Sequence, residues 1–282
     1  MDEPVELAQY KKAVSIAISE ITPDTLKAMV SDAKLLSVSN KLGLVSRTER
    51  DVVWSAHTVA PITESIKSRL ARQLRIVSRN QQVDLYALFS KFSQTKKMCG
   101  TLFEAIGLCI IPEGLDIALL PMVRLPQNPN AKSHPCWYTS HASLTNETLE
   151  AQRQQALCRS EAIQFPSATT QEFKADEIIS LCEGVFFVPI SESQEALDAF
   201  LLLHGILYIL QFTVGQNHDI KLGFVNFLQK CQNVPPLEEW RFVFLIPPGT
   251  TLLCPEPKSE LPGLRKLNPY SAELDLRPYL NA

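Results

Sequence analysis

Glu104, Asp198 and Gln211 stand where an apolar pattern has no need of them. Glu104 interrupts Leu102-Phe103 and Ala105-Ile106, Asp198 opens the run Ala199 to Leu203, and Gln211 lies between Leu210 and Phe212. Two carboxylates and an amide carbonyl are hard oxygen donors of the kind Mg²⁺ accepts, an ion that takes few protein carboxylates and keeps several waters. Held there, it would polarise a scissile phosphate and lower the pKa of an attacking water. The same three residues also suit a buried polar network, or a hairpin-end Asp that caps its own turn. From the residues alone both readings stand.

The elements that must position this trio read as mixed α/β. Met98 to Cys109 has helical spacing, and after Pro112-Glu113-Gly114 the run Leu115 to Leu125 is strand-like. Residues 126–145, with three prolines and no period, predict a loop. Glu147 to Arg159 predicts a short helix and Val185 to Ile190 a compact strand. Asp198 to Leu203, the turn His204-Gly205 and Ile206 to Val214 predict a β-hairpin that sets Asp198 and Gln211 side by side at its open end. Asp219 to Cys231 predicts an amphipathic helix, and Arg241 to Ile246 a last buried strand before a proline-rich tail that wraps the surface. Upstream the spacing is helical with no strand-like alternation. The expected division is therefore a helical region over 1–94 and an α/β domain over 95–282.

The order helix, strand, interrupted section, hairpin, helix, strand resembles the PD-(D/E)xK restriction-endonuclease-like superfamily, whose core runs helix, three strands, helix, strand. Cys99 to Glu104, Phe187-Val188-Pro189, Asp198-Ala199-Phe200, Leu207 to Thr213 with His218, and Trp240 to Pro248 are similar to the C-terminal region of Crinkler and retrotransposon-hot-spot-type proteins of fungi, oomycetes and protists. The resemblance spans about residues 95 to 275. It implies an acidic metal ligand at Glu104, another at Asp198, and the (D/E)xK tripeptide at Gln211-Phe212-Thr213. The sequence departs from the pattern twice, with Gln211 at the acidic position and Thr213 at the lysine. Lys221 is the nearest basic residue able to replace the missing charge, and His218 a base near neutral pH. No GxxxxGK[ST] motif of the family's usual upstream ATPase is present. The resemblance implies a Mg²⁺-dependent nuclease-like module acting on or binding DNA or RNA. The alternative is a catalytically inactive effector that uses the same fold to hold a protein partner.

Composition narrows the field. The balance of 27 Lys+Arg against 30 Asp+Glu, net −3, gives no global attraction to polyanions, so a nucleic-acid surface has to be local. Residues 67–97 supply one, with eight basic residues and Asp84 as the single acid. Arg69, Arg72, Arg75 and Arg79 fall on one stripe of a helix expected from Ile62 past Val77, and Lys96 and Lys97 continue it. A solvated helix face is the plainer account of the same stripe. Seven widely spaced cysteines without a CxxC pair fit a reducing compartment and core thiols, and no signal-peptide core precedes residue 30. The expected location is intracellular, nucleus or cytoplasm. His134, Cys136 and His141 match no zinc spacing. The apolar run from Ala196 to Val214 is broken by His204-Gly205 and is no membrane span.

Overall fold

A computed structural model describes residues 5–31, 42–47, 57–92, 95–125, 136–139, 147–174, 177–190, 197–221, 223–255 and 269–280. His134, His141 and the stretch 191–196 lie outside them. The chain divides into two compact units, residues 1–106 with 276–282, and residues 107–275. The expected boundary at 94/95 thus moves to 106/107, inside a helix, and the last residues return to the first unit.

The first unit holds helices α1 (Val5–Ser19), α2 (Pro23–Ser31), α3 (Glu64–Leu74), α4 (Arg79–Phe89) and the start of α5 (Lys96–Ile110). Local chemistry sets the helix starts. Thr22 and Thr25 cap α2 reciprocally, each hydroxyl accepting the other's backbone N–H, with Pro23 at the first helical position. Thr63 caps α3 by accepting the Ile66 N–H at 3.1 Å. Val14, Ile18, Leu26, Leu70, Leu74, Leu85, Phe89 and Leu102 meet in one core. Two expectations are corrected here. Strands β1 (Gly43–Arg47) and β2 (His57–Pro61) pair antiparallel within the region read as wholly helical. The helix expected to carry the arginine stripe ends at Leu74, because the buried Gln82 amide donates to the carbonyls of Leu74 and Val77 and turns the chain into α4. Arg75 becomes a cap residue and Arg79 begins another helix.

The second unit is built on an eight-stranded mixed sheet. Its strands are β3 (Leu115–Pro121), β6 (Glu161–Phe165), β7 (Thr169–Phe173), β8 (Val185–Pro189), β9 (Ala199–Leu203), β10 (Ile206–Phe212), β11 (Trp240–Ile246) and β13 (Pro269–Glu273), in the order β6-β3-β13-β11-β10-β9-β8-β7. Three short strands, β4 (Val123–Leu125), β5 (Cys136–Tyr138) and β12 (Leu253–Pro255), form a second sheet in the order β12-β5-β4. Helices α6 (Glu147–Leu157) and α7 (Gly223–Leu228) complete the unit. The fold class is mixed α/β, as expected.

The large sheet is curled, and a covalent fact requires it. β6 and β7 are its two edges, yet only Pro166-Ser167-Ala168 separates them. A flat eight-stranded sheet would set its edges roughly 34 Å apart, whereas Phe165 and Thr169 are joined by a chain that spans at most about 14 Å. Diagonal corners of the sheet must therefore approach each other, as strand twist allows. The concave face is identified by Phe165 of β6, whose ring meets Tyr208 of β10 edge-on at 5.4 Å across three intervening strands. Gly107, on the last turns of α5, lies so close to the Phe212 ring on this face that a β-carbon would overlap it. The opposite face buries Phe187, Phe200, Leu207, Ile209, Phe242, Phe244 and Ile246 with Phe224, Phe227 and Leu228 of α7.

Several sequence expectations change in this unit. The strand expected from Leu115 to Leu125 breaks at Met122 into β3 and β4. Within the predicted loop, Cys136–Tyr138 forms β5. β6 and β7 went unforeseen because their exposed Glu, Gln and Thr residues dilute the apolar signal. The helix expected over 219–231 is only Gly223–Leu228. β11 is not the last buried strand: β13, from the tail expected on the surface, pairs parallel with β11 and antiparallel with β3. Of the cysteines read as core thiols, Cys99 and Cys254 are buried, while Cys158 and Cys182 are exposed.

Candidate functional site

The β9–β10 hairpin turns where the sequence predicts. His204 and Gly205 both have positive φ, 52° and 76°, the backbone of a two-residue turn whose twist matches the flanking strands. At the other end the Asp198 N–H donates to the Leu210 carbonyl at 3.1 Å, and Asp198 Oδ2 accepts the Phe212 N–H at 2.7 Å. Asp198 therefore brackets Gln211 through its neighbours on both sides, and its carboxylate caps the hairpin's open end.

Gln211 is 4% exposed, and among the described residues its Oε1 has no hydrogen-bond partner. The register places it in one row with Phe244 of β11 and Ser271 of β13, all on the convex face. Ser271 is fully buried and its Oγ is likewise unpartnered. Two orphaned buried polar atoms thus flank one phenyl ring, an arrangement that costs about 1–3 kcal/mol per group when nothing answers it. His218 meets that ring edge-on, centroid to centroid 5.8 Å. The structure accordingly gathers Asp198, Gln211 and His218 around the ends of β9, β10 and β11. Ser271 joins them and was missed, since nothing in Pro269–Glu273 marks a core strand except the small residues that a crowded sheet accepts.

Each of the remaining predicted residues has its own surroundings. Glu104 belongs to the first unit, where its carboxylate sits 3.8 Å from Lys67 Nζ. Thr213, at the position of the family's lysine, accepts the Gly215 N–H with its hydroxyl at 3.0 Å. Lys221 is exposed and precedes α7 instead of lying one turn into a helix. Arg69 donates to Ser15 Oγ at 2.7 Å, and the Arg79 guanidinium lies 5.7 Å from the centre of the Tyr279 ring, so both have structural partners within the first unit. Arg72, Lys96 and Lys97 are exposed, and Arg75 is half-buried. Among the described residues no group of three or more His, Cys, Asp or Glu side chains is placed to hold a metal ion, and no helix is long and apolar enough to cross a membrane.

The concave face carries a second polar cluster. Arg241 lies beside Tyr208 in the β10–β11 register and 5.8 Å from the centre of the Tyr270 ring, while its Nη1 donates to the Glu238 and Trp240 carbonyls. Burial, and then the negative charge of Glu161, raises the Tyr208 hydroxyl above its ordinary pKa. Burial raises Tyr270 as well, against the opposing pull of Arg241. Both tyrosines remain neutral donors at physiological pH.

Comparison with family models, with curated proteins and with solved structures finds no match for this chain.

Proposed function

We propose that the α/β half is a nuclease-like module of restriction-endonuclease type, similar to the Crinkler C-terminal region, that acts on or binds nucleic acid with Mg²⁺. Strand order carries the reading. β8, β9 and β10 form an antiparallel meander, α7 follows, and β11 joins β10 in parallel. That is the succession expected of such a core, with Asp198 heading its second strand and Gln211 near the end of its third. The donor chemistry also fits, because Asp198 and the unpartnered Gln211 Oε1 are hard oxygen ligands. Mg²⁺ bound there would supply Lewis acidity at a phosphate oxygen. His218 and Lys221 would orient or deprotonate water, and Arg69, Arg72, Arg75, Arg79, Lys96 and Lys97 would follow the phosphates.

A second reading has its own support. The Thr213 hydroxyl closes a turn where an ammonium is expected, which favours an inactive module that holds a nucleic-acid or protein partner uncut. The deciding experiment titrates the protein with Mg²⁺ and Mn²⁺, recording heat of binding and cleavage of single- and double-stranded DNA and RNA. Asp198→Asn serves as control because its amide oxygen can still accept the Phe212 N–H. Metal heat and cleavage that both vanish in this variant, with unchanged thermal stability, are expected for the nuclease. Nucleic-acid binding without metal or cleavage selects the inactive module, and the absence of all three overturns both nucleic-acid readings.

A further inference from the structure

A cleft of about 290 Å³ lies within the second unit, between α6 and the corner where β3 passes into β4. One wall is a stripe of α6, Gln152, Gln155 and Ala156, at spacings of three and four residues, with Arg159 two residues beyond the end of the helix. Facing it are Met122 and Arg124. The two halves of this lining differ in chemistry. Met122 and Ala156 are 5% and 8% exposed and form an apolar floor. Arg124, Arg159, Gln152 and Gln155 are exposed and form a polar rim. The Arg159, Gln152 and Gln155 side chains make no hydrogen bond among the described residues.

Among the described residues the lining holds no carboxylate and two arginines, Arg124 and Arg159, in a protein of net charge −3. The nearest acid on the helix, Glu150, is already neutralised by Arg153 and also accepts from Gln154. The Arg124 guanidinium lies 6.0 Å from the centre of the buried Trp137 ring, which holds one cation on a rigid base.

From this lining we infer that the cleft binds one nucleotide unit. The guanidinium groups take the phosphate through charge-assisted hydrogen bonds, and the apolar floor takes the face of the base. Each glutamine amide presents a donor beside an acceptor, the pair that matches the N6/N7 edge of adenine. The volume lies at the lower end of the range for small-molecule pockets, roughly 300 Å³, which suits a single unit. The phosphate and base come either from a free nucleotide or from one residue of a strand. This inference needs no metal, and the Asp198–Gln211 reading can fail without it.

Calorimetry of the full chain in EDTA tests it, with AMP, inorganic phosphate and hexa-adenylate RNA as probes. AMP is expected to bind, and Arg159→Gln to weaken it about tenfold, the scale of one lost charge-assisted hydrogen bond. Gln155→Ala should weaken AMP while leaving inorganic phosphate unchanged. Hexa-adenylate that binds more tightly than AMP and responds to Arg159→Gln assigns the strand as source, while AMP binding alone assigns the free nucleotide. No heat with AMP, AMP binding unmoved by Arg159→Gln, or phosphate binding as tight as AMP would each overturn the inference. Asp198→Asn should bind AMP like the parent chain, which keeps the two sites experimentally separate.

Discussion

At the buried cysteines, burial outweighs nearby charge. Cys99 and Cys254 show it best: desolvation pushes each thiol up to about 12, and a nearby Lys96 only partly opposes this at Cys99. Reactive thiolate is therefore scarce at both sites near neutral pH. Cys158 and Cys182 are exposed. Brief alkylation at pH 8, followed by peptide mass spectrometry, should modify Cys158 and Cys182 first. Cys99 and Cys254 should react only after denaturant is added, and equal labelling of all four would contradict the buried assignment. Asp198 belongs at the same scale, since its carboxylate serves the hairpin backbone whatever else it binds. The 2.7 Å bond from the Phe212 N–H places that carboxylate at the hairpin's open end, away from the His204-Gly205 turn.

Among the elements, the β9–β10 hairpin is the one from which the candidate site hangs. Its turn is tied down by Glu183, whose carboxylate accepts the Gly205 N–H at 3.0 Å. Backbone hydrogen bonds from His204 and Gly205 hold that carboxyl below its ordinary pKa. The sign follows from linkage. A depressed folded-state pKa adds stability above the unfolded carboxylate value, and the contribution is lost as pH falls through the folded value. Glu183→Gln should therefore lower the melting temperature at pH 7 and converge with the parent protein below about pH 4. Glu183 is exposed, so solvent screening limits the difference to about half a kcal/mol. A gap that widens with acid would show that the tether is not electrostatic. The expected arginine stripe is a second lesson about elements. Its spacing was real, but Gln82 divides the helix beneath it, and a periodicity argument cannot see a side chain that takes backbone carbonyls from the preceding turn.

For the molecule as a whole, the sheet depends on its last strand. β13 lies between β11 and β3 and contributes the buried Ser271 and Ala272. Truncation after residue 268 would leave β11 and β3 with open backbone edges and a stripped core, so it should abolish cooperative unfolding of the second unit. Thermal melts read by near-ultraviolet circular dichroism check this, and a truncated chain that melts like the full one would mean the sheet re-pairs without β13.

The hairpin, its His204-Gly205 turn, the helix bearing Glu104 and the central strand β11 could all be read from residue order, because each is set by local periodicity and turn chemistry. So could the pairing of Asp198 with Gln211, since a two-residue turn fixes the register of everything it joins. The curl of the sheet, the insertion of β13, the orphaned Ser271 beside Gln211 and the cleft against α6 required the folded chain. Each of these joins segments far apart in sequence, where short and polar stretches become strands only because partners on both sides satisfy their backbone. Such long-range partners leave no periodic mark, and tertiary packing overrode the local signal at β6, β7 and β13 for that reason.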